Sequence, residues 1–273
     1  MRRVGFTLIE VAIALVVFAF VGAALTRLMT TQMRYFQMAS AQKAARSTHR
    51  GALKVLQNEL RMVEATGGVS AATNTKLAIR LPGEFGVVCS GNTISALPVD
   101  SLVYAQAVFG GYAWKDTSQS GSYSYVASGS PAVAGTVSNC TTAAVQVATL
   151  PNGRVLDLSP ALPAGATTGA PLFLFQNVTY EFKASVAVPG KTALWRTVAG
   201  GNADELAVPF DTSARFRYYA QDSDTSQITV PALTTIRGVD LQLDALSERP
   251  IAGRAAPEVS KLRSSVFFRN RIN

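Results

Sequence analysis

The sequence predicts an α+β fold: a long N-terminal helix packed on a mostly antiparallel β-sheet body. Three observations carry this reading. Residues 6–25, FTLIEVAIALVVFAFVGAAL, hold a single ionisable side chain, Glu10. No proline precedes Pro82, which leaves room for a long helix. After Gly67-Gly68 the composition turns to Val, Thr, Ser, Gly and aromatic residues, the vocabulary of strands and turns.

The helix comes first. Twenty mostly apolar residues at about 1.5 Å each reach roughly 30 Å, the thickness of a bilayer's hydrocarbon core. Residues 6–28 are therefore assigned to a transmembrane first half, and no later segment qualifies as a second span. Residues 29–66 are rich in helix formers (Ala, Gln, Met, Leu, Lys and Arg). Apolar side chains at Met29, Met33 and Phe36, and again at Leu53, Leu56, Leu60 and Val63, recur at spacings of three and four. Small residues (Ala39, Ala41, Ala44 and Ala45) occupy the middle. This predicts one continuous helix from Phe6 to Ala65, about 90 Å long and amphipathic in its second half. Gly67-Gly68 supplies the stop.

Residues 67–273 form a β-rich globular head. Strands are predicted at Lys76–Leu81, Gly86–Cys89, Ser101–Phe109, Val145–Leu150 and Leu172–Ala184. Further strands are predicted at Ala193–Val198, Arg215–Ala220, Ile236–Leu243 and Leu262–Phe268. Val239, Leu241 and Leu243 alternate with Asp240, Gln242 and Asp244, the pattern of a half-buried strand. Stretches 117–142, 159–171 and 247–258, rich in Ser, Gly, Pro or Ala, read as loops. An open helix-on-sheet layer follows, with the sheet on the amphipathic half of the helix.

The formal net charge is +8. Its location decides what it means. From residue 67 onward there are 16 Lys/Arg against 14 Asp/Glu, whereas residues 26–66 carry seven basic and two acidic groups. The basicity belongs to the stalk, so nucleic acid is not expected as a partner of the head. Cys89 and Cys140 are the only cysteines. In an oxidising compartment an even pair favours a disulfide; two separate buried thiols are the alternative. With one histidine, His49, a Cys/His zinc site cannot be completed, and no metal is expected. His49, among Arg46, Thr48 and Arg50, reads as a solvated side chain. Gly190-Lys191-Thr192 lacks the first glycine of a phosphate loop, and Asp222–Ser226 lacks the turn glycine and bidentate Glu of a calcium loop. No catalytic constellation stands out and no cofactor is expected, so the chain reads as a non-enzyme.

The N-terminus reads Met1-Arg2-Arg3-Val4-Gly5-Phe6-Thr7-Leu8-Ile9-Glu10. A short basic leader ending in Gly, then Phe-Thr-Leu-Ile-Glu heading an apolar helix, resembles the precursors of the type IV pilin superfamily. The fold class implied is type IV pilin-like. The resemblance makes residues 1–5 a leader peptide, cut by a prepilin peptidase between Gly5 and Phe6, with the new amino group of Phe6 methylated. Glu10 then takes part in subunit assembly. A carboxylate at mid-span costs roughly 2.5–3.5 kcal/mol, but Glu10, about 6 Å along the axis from Phe6, sits near the headgroups, where the cost is small. In a filament core the Phe6 amine of a neighbouring subunit is its partner; a snorkelling glutamate without a partner is the alternative. A secretory signal peptide cut after Gly22-Ala23-Ala24 is the rival reading, against which Glu10 stands. The charge count around the span, Arg2 and Arg3 against Arg27, Arg34 and Lys43, favours the opposite orientation, and the leader is preferred over the count.

Further along, Val178–Phe182, Leu194-Trp195-Arg196, Glu205-Leu206, Arg215–Tyr219 and the terminal Leu262–Asn270 look like PilW-type minor pilins and J-type pseudopilins. The resemblance implies a minor pilin, a structural, priming or tip subunit of a type IV pilus serving assembly, twitching motility, adhesion or DNA uptake. A J-type pseudopilin of type II secretion and a tip receptor for DNA or sugar are the alternatives. The partners implied are the prepilin peptidase, other major and minor pilins, an inner-membrane assembly platform, and lipid along residues 6–28. The location implied is the bacterial inner membrane, head periplasmic, before assembly, and the pilus at the cell surface afterwards.

Overall fold

The computed structural model describes residues 7–100, 108–115, 122–135, 140, 147–248, 250 and 255–268. Among the described residues one α-helix, α1 (Leu8–Leu60), precedes fifteen strands. The strands are β1 (Val69–Ala72), β2 (Lys76–Ser90), β3 (Thr93–Pro98), β4 (Gly111–Lys115), β5 (Tyr123–Ala127), β6 (Ala132–Ala134), β7 (Arg154–Leu158) and β8 (Pro171–Ala184). They continue as β9 (Thr192–Val198), β10 (Ala203–Phe210), β11 (Arg215–Ala220), β12 (Ile236–Gln242), β13 (Ala245–Leu246), β14 (Val259–Ser260) and β15 (Arg263–Phe267). The fold is α+β, a long apolar helix with an antiparallel β body.

Among the described residues the large sheet runs β14-β13-β10-β9-β8-β2-β3-β7-β6, with β1 on β2 and the β4–β5 hairpin on β8. A smaller sheet runs β11-β12-β15. The long pair β2–β8 forms the spine, in register from Lys76↔Glu181 to Val87↔Pro171. Alternation along β8 separates Leu172, Leu174, Val178 and Tyr180 from Phe173 and Phe175 on the opposite face. On the first face Ala45, Ala52, Leu56, Leu60 and Val63 of the stalk pack on Leu77, Ile79, Val178, Tyr180 and Phe182, and on Phe216, Tyr218, Val239 and Leu241 of the small sheet. A second core lies toward the other end of the large sheet, built from Val88, Ile94, Tyr112, Trp114, Leu156, Leu158, Leu172 and Leu174.

Several expectations need correction. The α-helix stops at Leu60, five residues before the predicted Ala65. The N–H groups of Met62 and Val63 donate to carbonyls only three residues back, so the last turn tightens before the chain leaves. Gly67 then adopts φ 81°, and a Cβ on Gly68 would lie 2.3 Å from the Glu64 carbonyl oxygen, so both glycines are required. Lys76–Leu81 and Gly86–Cys89 are one strand, carried past Pro82 by a register shift between Pro82 and Glu84. Within Val145–Leu150, residues 147–149 form a 3-10 turn instead of a strand, because the Ala148 N–H donates to Ser95 Oγ and Leu150 N–H to Val147 O. Residues 101–107 of the Ser101–Phe109 prediction lie outside the described residues. The stretch 117–142, read as a loop, contains β5 and β6. Tyr123 and Tyr125 of β5 pack on Phe173 and Phe175, at 4.9 and 5.7 Å between ring centroids, which outweighs the local Ser/Gly content.

Candidate functional site: the stalk helix and its seat on the head

Thr7 caps α1 with an extended backbone, and its hydroxyl accepts from the Glu10 N–H at 3.4 Å. Glu10 thus occupies the first turn, where the helix dipole favours a carboxylate. Gly5 and Phe6 lie outside the described residues. From Leu8 to Phe36 the apolar side chains make no core: Leu8 is 89% exposed, Phe18 76% and Phe36 70%. This segment carries an 18-residue window of mean hydropathy 2.7, none of it buried within the chain. By length and composition this rod is long and apolar enough to cross a membrane.

Burial begins only at Ala45. From there Ala45, His49, Ala52, Leu56 and Leu60 follow one another at three- and four-residue spacing and form the stripe that faces the head. His49 is therefore not solvated as its polar neighbours suggested; it is 4% exposed. Burial depresses its basicity, opposed by a backbone hydrogen bond at Ser260 and reinforced by the charges of Arg50 and Arg46. A polar clamp fixes the stripe's register. Arg196 Nη2 lies 2.9 Å from Glu59 Oε1, and Tyr180 Oη donates to Glu59 Oε2 at 2.5 Å. Burial and the adjacent Glu59 carboxylate hold the Tyr180 phenol well above its ordinary value, so it remains a donor. Sequence reasoning missed this clamp. The available signal was Glu59 itself, an acid set between Leu56 and Leu60 at the edge of the apolar stripe.

In the head, Cys89 and Cys140 form a disulfide, Cα–Cα 5.1 Å, across a separation of 51 residues. An open cleft of 370 Å³ runs between Ser47, Thr48 and Gly51 of the stalk and Glu205–Val208 of β10. Its carboxylate, Glu205, is held below the usual range as it accepts from Ser185 Oγ and from the Val186 and Ala187 N–H groups. Asp240 on β12 accepts from Ser226 Oγ and Arg263 Nη2, both at 2.5 Å, which fixes the small sheet's outer face. Asp224, in the stretch weighed as a calcium loop, pairs with Arg237 at 2.8 Å. Among the described residues no group of three His, Cys, Asp or Glu side chains is arranged to hold a metal.

The part of the chain with no folding role inside the monomer is thus the capped apolar rod. Residues 2–26 match the profile of the prokaryotic N-terminal methylation motif. The chain carries a prepilin-type N-terminus. The match supports a type IV pilin-like protein, processed by a prepilin peptidase and assembling with other pilins. It ends at residue 26, on the exposed half of α1, so it speaks for the stalk and not for the head. No curated protein and no solved structure matches the chain significantly.

Proposed function

We propose that this chain is a minor pilin, a structural, priming or tip subunit of a type IV pilus, and not an enzyme. The observation that supports this most is the unpartnered apolar rod behind the methylation motif, joined without a break to a helix clamped on a large head. Peptidase cleavage between Gly5 and Phe6 frees the Phe6 amine, which the peptidase then methylates in a separate transfer from a methyl donor. The rod then moves from lipid into a bundle of neighbouring rods, exchanging one apolar surrounding for another. That exchange is close to neutral in hydrophobic free energy, so register must come from specific groups.

Glu10 supplies the register. It is the one charge between Phe6 and Leu25, and in a dry bundle a cation from a neighbour is its natural partner. Each subunit offers such a cation, the Phe6 amine, about 6 Å along the axis from its own Glu10. Pairing one subunit's Glu10 with the next one's amine sets a fixed axial stagger. The head, residues 67–273, would crowd a regularly repeated shaft, which favours a place where neighbours are missing on one side. The compartment follows: head periplasmic and stalk in the inner membrane before assembly, pilus surface afterwards. The Cys89–Cys140 bridge suits that oxidising side.

The test is deletion of the chain together with complementation by Glu10→Ala. Loss of piliation and twitching in both, with secretion intact, supports the reading. Normal piliation with lost secretion transfers the chain to a pseudopilus.

A further inference from the structure

The second core contains a side chain that nothing in the assembly account uses. Glu84 on β2 has no exposed surface, and neither of its carboxyl oxygens has a hydrogen-bond partner. It follows the register shift in β2, opposite Leu174 on β8 and Pro98 on β3. Beside it the Phe109 ring closes over Gly83, where an added Cβ would stand 2.9 Å from the ring. The Trp114 indole N–H, a member of this core, is also buried without an acceptor. Two buried polar groups without a partner at one end of one sheet cost that packing free energy.

The charged surroundings are sparse. Among the described residues the charge acting on Glu84 is that of Arg154 on β7, which pairs with Ala96, two residues before Pro98. Tyr112 on β4 is the other titratable member of the cluster, and its hydroxyl donates to the Pro160 and Ala161 carbonyls that cover the core. β3 contributes Ile94 and Ala96, β8 contributes Leu172 and Leu174, and the segment before β4 contributes Phe109, all apolar. No side chain of this core belongs to the helix-side core.

We propose that Glu84 is a proton-operated latch, which as a neutral acid keeps the second core closed and as a carboxylate opens that end of the head to water. Opening is confined to the end of β2 and β8 that carries Val88, Leu172 and Leu174, while the stalk packs on their other end through Leu77, Ile79, Val178 and Tyr180. Burial raises the Glu84 carboxyl from 4.5 to about 7, opposed by the charge of Arg154. The direction follows from the sign. Between pH 4.5 and 7 the closed form keeps the proton and the open form gives it up, so opening gains with rising pH and levels off above 7. Each pH unit is worth about tenfold, so the open-to-closed ratio rises up to about 300-fold across the window.

The experiment is hydrogen exchange on the full chain in detergent micelles from pH 4 to 9, corrected for intrinsic exchange rates. Peptides from β2, β3 and β7 are expected to lose protection by up to about 300-fold, with an upper plateau near pH 7. Peptides from Ala52–Leu60 serve as the internal reference and are expected to lie outside this transition. Glu84→Gln is expected to flatten the β2–β3 profile, and Arg154→Gln to move its midpoint upward. A flat parental profile overturns the latch. So does an unchanged transition in Glu84→Gln, or an equal loss of protection in both cores. Should Glu84→Gln fail to fold, carbon-13 titration of the parental carboxyl decides: a midpoint near 7 supports the latch and one below 5.5 overturns it.

Discussion

Replacing Glu59 by Gln tests whether the stalk is clamped to the head or merely rests on it. The Glu59 carboxylate receives Arg196 through Nη2 at 2.9 Å and Nε at 3.1 Å, together with the Tyr180 hydroxyl. Hydrogen bonds to a charged group contribute roughly 1.5–3 kcal/mol each, and stranding a buried partner costs about 3–5 kcal/mol. Arg196 keeps about a fifth of its side chain exposed, so water recovers part of that loss. A destabilisation of about 3 kcal/mol results, equivalent to roughly 6–12 °C in the melting temperature at this size. The assay is thermal unfolding of the full chain in micelles, arranged as a double-mutant cycle with Arg196→Met. Coupling of at least about 1.5 kcal/mol is expected, since the second change removes the cation that the first leaves unpaired. A loss under 1 kcal/mol, or additive single effects, would refute the clamp.

Cys89→Ser with Cys140→Ser should cost about 4 kcal/mol by loop entropy over the 51-residue separation, read as the difference between oxidised parent and variant melts. Gly68→Ala should destabilise by more than 1 kcal/mol, because its Cβ would meet backbone at 2.3 Å. Gly51→Ala, with nothing within 4 Å, should stabilise by up to about 1 kcal/mol. Burial lowers the basicity of His49 below its ordinary 6.5, so its contribution is complete above pH 6.5 and declines as pH falls toward the depressed folded value. In a Glu84→Gln background, which removes the opposing carboxyl effect, this acid-side decline should vanish on His49→Gln; its persistence would show that His49 does not cause it.

The stalk was legible because one periodicity governs it from end to end, and its apolar half needs no knowledge of the head. Long strands with clean alternation were legible for the same reason, and β8, β9, β11, β12 and β15 fall where their patterns lie. The β4–β5 hairpin was not, since Tyr123 and Tyr125 find Phe173 and Phe175 across about fifty residues and the local sequence is that of a loop. Strand β10 hides behind Asp204, Glu205 and Pro209, residues that ordinarily argue against a strand. His49 was misread from its neighbours in sequence. Its neighbours on the helix, Ala45 and Ala52, were the ones that decided its burial. The Glu59 clamp draws its partners from 121 and 137 residues away, beyond any local pattern. Of the candidate processing site, the whole signal is in the order of residues at the chain start.

That processing step is the point on which the functional account turns. The most direct measurement is N-terminal mass analysis of the mature protein, made in cells with and without the prepilin peptidase. A chain beginning at methylated Phe6 is expected when the peptidase is present and an uncut leader when it is absent. A mature chain beginning at Leu25, or a leader retained in both cells, would contradict it.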